Sequence, residues 1–311
     1  MNYMINKIVA IQGNHPSKLN PITDTSIFLA HEIQNKKYKI FYYDPKNLSI
    51  INSKVIAKGF FIKFNYSQKK FFKILKKQKL DLSNCTYILI RQDPPFNLEY
   101  ISATYILDAI KDKVKIINNP TSIRNVSEKL YSAKYQKYMP STIFTQNIDE
   151  IKNFFKKYKK VILKPIHSYS GNDIHLLSKF NLKFIKRFIK KHDHIMFQKY
   201  LPKINKGDKR VFLINGKVCG AISRVPKKGS FLSNMSKGAK PINIKLTKIE
   251  KKISRLIAND LKKEKIHFAG IDFIDQKLNG DINVTSPTGL KTLFDLSGIN
   301  LAKTFWKELK A

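Results

Sequence analysis

The sequence predicts an α/β protein with an open N-terminal sheet, and three observations carry that expectation. Short apolar runs of strand character, NKIVAIQ (6–12), KYKIFYYD (37–44), TYILIR (86–91) and KIIN (115–118), are spaced along the first third of the chain. Polar and proline-bearing motifs stand at the ends of these runs, where ligands meet an open sheet. The 311 residues are 42% hydrophobic, enough for two or three subdomains, and no apolar run approaches the roughly 18 residues that span a membrane.

Taken in order, the first strand gives way to a loop over 13–23 rich in Asn, Pro and Ser. Asp24-Thr25-Ser26 then offers an N-cap, and Ile27, Ala30, His31 and Ile33 continue at helical spacing. The stretch YSQKKFFKILKK (66–77) reads as a basic helix or helix edge. Arg91-Gln92-Asp93-Pro94-Pro95-Phe96 closes the third strand, and its double proline makes an extended, stiff loop that holds Arg91 and Asp93 at the sheet edge. A second region begins near residue 121 with a helix expected over 122–138. It continues with helix 148–158, strands 161–166 and 173–177, helix 181–191 and strand 194–201. A third region has strands 206–216 and 218–226 about an Asn215-Gly216 turn, a Ser/Gly/Lys-rich segment 227–240 expected to move, helix 247–263, and a closing helix over 298–311 with the one tryptophan, Trp306. The expected domains are therefore 1–120, 121–202 and 203–311.

Between the last two helices lies FAGIDFIDQKLNGDINVTSPT (268–288). It reads as strands 268–275 and 281–285, with Asn279-Gly280 as the turn because both residues tolerate φ > 0. Alternation along the second strand points Asp281, Asn283 and Thr285 one way and Ile282 and Val284 the other. Asp272 on the first strand is within reach of them. Spacing alone leaves two readings: a hairpin with its polar face in water, or hard oxygen ligands for Mg²⁺.

The net charge of +37 raises nucleic acid as a partner. The lysines are scattered rather than gathered, and no recognised nucleic-acid motif accompanies them, as drift in an AT-rich genome would give. Arginine is scarce: Arg91, Arg124, Arg187, Arg210, Arg224 and Arg255 are six of 59 basic residues. Where lysine is the default cation, a retained arginine suggests a need for its planar fork. Cys85 and Cys219 make no disulfide framework and no metal spacing. The start of the chain, MNYMINKIVAI, has no separate apolar signal region, so a cytoplasmic protein is expected.

Order makes the motifs specific. An N-P-x-S-I-R segment is followed by Lys129, then L-K-P ending at Pro165, Q-K-Y-L-P from Gln198, G-D-K-R-V from Gly207, S-R-V-P from Ser223, and G-I-D…I-N-V-T-S-P. This run resembles the ATP-grasp ligases. With RQDPPF ahead of it and INVTSPTG at its end, it resembles the bacterial glutathione synthetases in particular, over nearly the whole chain.

The resemblance implies an ATP-grasp architecture behind an N-terminal open α/β domain. It implies that Lys129 and Lys164 contact ATP phosphates, with Lys164 beneath a loop containing Ser170 and Gly171, that Gln198, Tyr200 and Leu201 hold the adenine, and that Asp208 holds the ribose. Asp272, Asp281 and Asn283 would carry Mg²⁺ or Mn²⁺. Arg210 would face the reacting groups with Lys164, while Arg91 and Arg224 orient an anionic peptide. Asp24 and Ser26 would border the substrate cleft, and Ser286, Thr288 and Gly289 would help hold a carboxylate. The substrates implied are ATP, glycine and γ-glutamylcysteine, joined through an acyl phosphate, in a homo-oligomer, a tetramer by resemblance. No membrane and no specific nucleic acid is implied. The rivals are another ATP-grasp amino-acid or peptide ligase, or a basic nucleic-acid-binding protein with a degenerate ATP site.

Three departures from the family pattern stand out. Ser168-Tyr169-Ser170-Gly171 replaces a loop that usually holds three glycines within four positions. Asp281 replaces a glutamate. The lid segment 229–234 lacks a frequent arginine, which Lys227, Lys228 and Lys237 are expected to replace in part.

Overall fold

A computed structural model describes residues 7–65 and 70–311. It has three sheets. The first is built on a parallel centre: Ile8–Gln12 pairs with Lys39–Tyr43 on one side and with Tyr87–Ile90 on the other, and Tyr87–Ile90 pairs in turn with Lys115–Ile117. All five residues of Ile8–Gln12 are buried, as a strand covered on both faces requires. Asp24 caps the helix Thr25–Gln34 as expected, accepting the Ile27 amide at 2.8 Å.

Beyond this centre the sheet continues as antiparallel strands Leu48–Ile51, Lys54–Phe64 and Phe72–Asp81, of which the first two had no sequence expectation. The last corrects the basic helix expected over 66–77; its portion over 66–69 lies outside the described residues. Phe72–Asp81 forms a ladder along Lys54–Phe64, and its lysines line an exposed sheet edge. A long neighbouring strand was there to pair with, and this tertiary pairing outweighed local helix preference.

The helix expected over 122–138 is also corrected. Pro120–Asn125 is helical, the chain breaks, and Leu130–Tyr138 is 3₁₀. The break puts Glu128 and Lys129 on irregular backbone, free to aim into the molecule.

The central sheet is antiparallel, with order His175–Leu177, Val161–Pro165, Ile195–Lys199, Thr142–Thr145. The amphipathic helices Ile148–Tyr158 and Leu182–His192 cover it through Ile151, Phe154, Phe155, Ile185 and Phe188. The third sheet is antiparallel too: Lys240–Asn243, Lys217–Val225, Asp208–Ile214, Phe268–Ile274 and Lys277–Asn283. Helix Lys248–Lys263 packs on it behind a full Thr247/Glu250 capping box.

The hairpin turn differs from its expected place. Asp275 and Gln276 hold φ of 47° and 63°, the two positive values of a type I′ turn, and Ile274 pairs with Lys277. Asn279-Gly280 instead lies inside the second strand. Gly280 holds φ 86°, and a Cβ there would strike Met196 of the central sheet. The glycine is used for close approach between two sheets rather than for the turn.

The closing segment is two helices, Leu290–Ser297 and Leu301–Glu308, rather than one. Trp306 is fully buried and donates its indole N–H to the Leu29 carbonyl at 2.9 Å, so the end of the chain packs on its first helix. Asn118, at the end of Lys115–Ile117, stitches the first sheet to the third. Its Nδ2 donates to the carbonyls of Phe268 and Val284, both at 2.7 Å, and its Oδ1 accepts the amides of His267 (2.9 Å) and Phe268 (2.8 Å). That uses the full capacity of one amide side chain.

His267 beside this stitch gives a pH prediction. Burial, helped by Lys115, pushes its imidazole down to about 4, against the Phe305 carbonyl and Glu308. Between pH 6.5 and 4 the unfolded chain binds a proton that the folded chain refuses. The stability is thus complete above pH 6.5 and is lost as pH falls towards 4, by about 3 kcal/mol at most. Urea titrations from pH 7 to 4.5 should show this slope, and His267→Gln should flatten it.

Candidate active site

The third sheet places charge by cross-strand pairing. Asp208 lies opposite Arg224, and Arg210 lies opposite Asp272. Alternation puts Asp208 and Arg210 on one face, together with their partners. Arg224 donates from Nε to Asp208 Oδ1 at 2.8 Å and reaches Asp272 Oδ2 at 3.0 Å; Arg210 forks onto Asp272, with its second contact at 2.9 Å. Gly270 makes room for this fork, because a Cβ there would collide with the Arg210 side chain. All four residues are buried. Burial works to raise the Asp272 carboxyl, but Arg210 and Arg224 overcome it and hold the group well below the usual carboxylate range. Burial likewise works against the Arg224 charge, and Asp208 and Asp272 more than offset it.

Next to this cluster, Lys164 reaches across from the central sheet. Its Nζ donates to the Asn279 carbonyl (2.8 Å), Asn279 Oδ1 (3.1 Å) and Asp281 Oδ2 (3.2 Å). Lys129 approaches the other Asp281 oxygen at 3.5 Å and donates to the Ser168 carbonyl at 2.8 Å. Against the effect of burial, Lys164 and then Lys129 hold the Asp281 carboxyl below its ordinary value. Two buried ammonium groups on one carboxylate make a site with cationic charge to spare, suited to a polyphosphate.

These residues line one cleft of about 830 Å³ counting its mouth, between the central and third sheets. Ile162, Ile174, Leu201, Ile204 and Ile274 give it an apolar wall near Gln198 and Tyr200. Gln198 donates to Thr142 Oγ1 at 3.0 Å. The loop after Val161–Pro165 roofs the cleft with Ser168 to Gly171. Ser170 and Gly171 both adopt positive φ, 54° and 73°, so the serine sits in a conformation that costs an L-residue on the order of 1 kcal/mol. A Cβ on Gly171 would strike Asn234. Phe231, Leu232, Ser233 and Asn234 thus close over the loop, and Lys237 donates to Asn172 Oδ1 at 3.1 Å. Lys228 is exposed and lines neither this cleft nor the adjoining groove, so of the three lid lysines Lys237 is the one that meets the loop.

Among the described residues, no three His, Cys, Asp or Glu side chains cluster as a metal site. Two carboxylates and one amide do converge: Asp272, Asp281 and Asn283 all line the cleft. Asn283 Nδ2 is tied to the Gly270 carbonyl at 3.0 Å, which leaves its Oδ1 for a cation. This all-oxygen set fits Mg²⁺, which takes its remaining ligands from phosphate and water.

A groove adjoins the cleft at Arg210, Arg224 and Asn283. Asp24 forms part of its wall, and Ser286, Thr288 and Gly289 lie along it. Arg91 and Ser26 do not line it. Arg91 is buried behind them, donating from Nε to Ser26 Oγ at 3.0 Å and facing the charges of Asp24 and Asp93. Arg91 thus stands behind Ser26 and Asp24, beside the groove wall. Sequence reasoning missed Glu128 and the Asn279 carbonyl. Glu128 stood next to Lys129 in an expected helix, with no spacing to set it apart.

Comparison with known proteins agrees with this geometry. Residues 8–124 match the family model described as "Prokaryotic glutathione synthetase, N-terminal domain", and residues 128–298 match "Prokaryotic glutathione synthetase, ATP-grasp domain". The glutathione synthetase of Agrobacterium fabrum is 33% identical over 315 residues, covering 98% of this chain and 96% of that protein. That of Buchnera aphidicola subsp. Baizongia pistaciae is 36% identical over 293 residues, covering 92% and 90%. Among solved structures, an ATP-grasp ligase of Chryseobacterium gregarium superposes with TM-score 0.63 at 16% identity, covering 98% and 97%.

Proposed function

The chain belongs to the prokaryotic glutathione synthetase family, ATP-dependent ligases that join glycine to γ-glutamylcysteine, and we propose which of its residues perform each part of that reaction. The observation that carries the assignment is Asp281, held between Lys129 and Lys164 at the floor of the cleft.

Joining a carboxylate to an amine in water is uphill. Transfer of the ATP γ-phosphoryl group to the cysteinyl carboxylate gives an acyl phosphate, and the glycine amine then displaces phosphate. Both steps crowd anions together. Lys129 and Lys164 take the ATP phosphates under Ser170 and Gly171, the apolar wall with Gln198, Tyr200 and Leu201 takes the adenine, and Asp208 takes the ribose. Arg210, with Lys164, faces the reacting carboxylate, where a preorganised cation lowers the barrier by stabilising charge as it develops. Arg224 holds the peptide side of the same junction. Asp24, backed by Ser26 and Arg91, and the 286–289 turn hold the peptide's far end. Asp272, Asp281 and Asn283 hold Mg²⁺, or Mn²⁺ in its place, which supplies neutralising charge to the phosphates. The segment 231–234 keeps water from the acyl phosphate.

We divide the chain at residues 120 and 202. From the family resemblance we propose a cytoplasmic homo-oligomer, a tetramer. No helix of the described residues is long and apolar enough to cross a membrane.

The test is ADP release by purified protein with Mg-ATP and γ-glutamylcysteine, with and without glycine. The expected result is glycine-dependent ADP matched one to one by glutathione. Turnover with another amine in place of glycine would favour a different ATP-grasp ligase. Nucleic-acid binding that falls steeply with salt and survives Asp281→Ala would favour the basic binding protein.

A further inference from the structure

The strand that carries Asp281 and Asn283 ends its sheet pairing at Asn283. Its continuation, Val284-Thr285, is buried, so its backbone groups need other partners. Glu128 supplies them. Its Oε1 accepts the amides of Val284 (3.1 Å) and Thr285 (3.2 Å) and the Thr285 hydroxyl (2.8 Å). Its own carbonyl accepts the Ile282 amide at 2.8 Å. Asn118 holds the same strand from its other edge, through the Val284 carbonyl. Glu128 also lines the cleft, the groove and a small cavity between Phe96 and His167.

We propose that Glu128 is the positioning residue for the metal-binding strand, a role that rests on Asp281 and Asn283 being the ligands. It acts in place of a missing sheet neighbour. Three donors converge on one oxygen, Oε1. The Ile282 bond to the Glu128 carbonyl and the side-chain bonds at 284–285 bracket Asn283, so a slip at residues 284–285 reaches that ligand first and Asp281 through it. Without the carboxylate, two buried amides lose their acceptor, and the strand end must move to find water. Partners that orient metal ligands are typically worth about 10–100-fold in metal affinity.

Calorimetric titration of ADP, with Mg²⁺ and with a chelator, tests this in the folded full-length chain. Glu128→Ala should shrink the Mg²⁺-dependent gain in ADP affinity by about tenfold or more, with metal-free ADP affinity unchanged. Glu128→Gln, which keeps an acceptor oxygen, should recover most of the gain. Should Glu128→Ala fail to fold, Thr285→Val removes one of the three donors and should cost about two- to threefold of the gain; no change there overturns the proposal. An intact gain in Glu128→Ala, alongside loss in Asp281→Asn, also overturns it. So does a rise in KM for glycine with the Mg²⁺ gain intact, which would mean that the carboxylate serves the amine. An intact gain in Asp281→Asn overturns the ligand assignment itself, and the role of Glu128 with it.

Discussion

Arg210→Lys should lower kcat by about a hundredfold or more while KM for ATP stays within a few fold. The substitution keeps a positive charge opposite Asp272, which retains Arg224 at 3.0 Å, so the buried carboxylate is not stranded and the fold should survive. What is lost is the fork. Arg210 spans both Asp272 oxygens and stands where the nucleotide cleft meets the groove. An ammonium is a compact charge without two parallel donors. If the arginine meets the carboxylate only as it becomes an acyl phosphate, the loss falls on the transition state and kcat carries it. Steady-state kinetics with thermal melts decide the matter. A kcat within threefold of the unchanged enzyme would remove Arg210 from the reacting groups.

Asp281→Asn should change nucleotide binding in opposite directions with and without metal. In the free protein Asp281 occupies Lys129 and Lys164. Removing its charge releases both ammonium groups, so ADP should bind more tightly in the presence of a chelator, on the order of tenfold. With Mg²⁺ present the gain in affinity should vanish, since a hard cation loses a charged ligand, and kcat should fall about a hundredfold or more. Weaker binding under both conditions would instead assign Asp281 a structural role. Lys164 and Lys129 hold the carboxyl below its ordinary value, so the charge that this substitution removes is present at neutral pH.

The local pieces of this protein were legible in the chain. Helix Thr25–Gln34 announced itself by Asp24, and helix Ile148–Tyr158 fell on the range expected for it. Strand Ile8–Gln12 was a plain apolar run. The order of short motifs pointed to the family before any contact was known, and the alternation of Asp281 and Asn283 against Ile282 holds in the sheet. Errors fell where a long-range partner overrode a local signal. Asn279-Gly280 is a strong turn pair, yet the turn went to Asp275-Gln276, and Gly280 lies in the second strand against Met196 of another sheet. The basic stretch 72–77 looked helical, yet a neighbouring strand was there to pair with it.

Sequence alone determined the inventory: which segments have strand or helix character, where caps and flexible backbone fall, and which charges the chain has available. Those properties follow from the spacing of neighbouring residues. Tertiary structure alone decided that Lys129 and Lys164 share Asp281, that Arg91 meets Ser26, that Trp306 closes on the first helix, and that Glu128 takes the Thr285 hydroxyl. Each joins residues from 65 to 277 positions apart in the numbered chain, through contacts that only sheet register and packing bring within 4 Å. No local periodicity encodes such a meeting, because the distance is set by the whole fold.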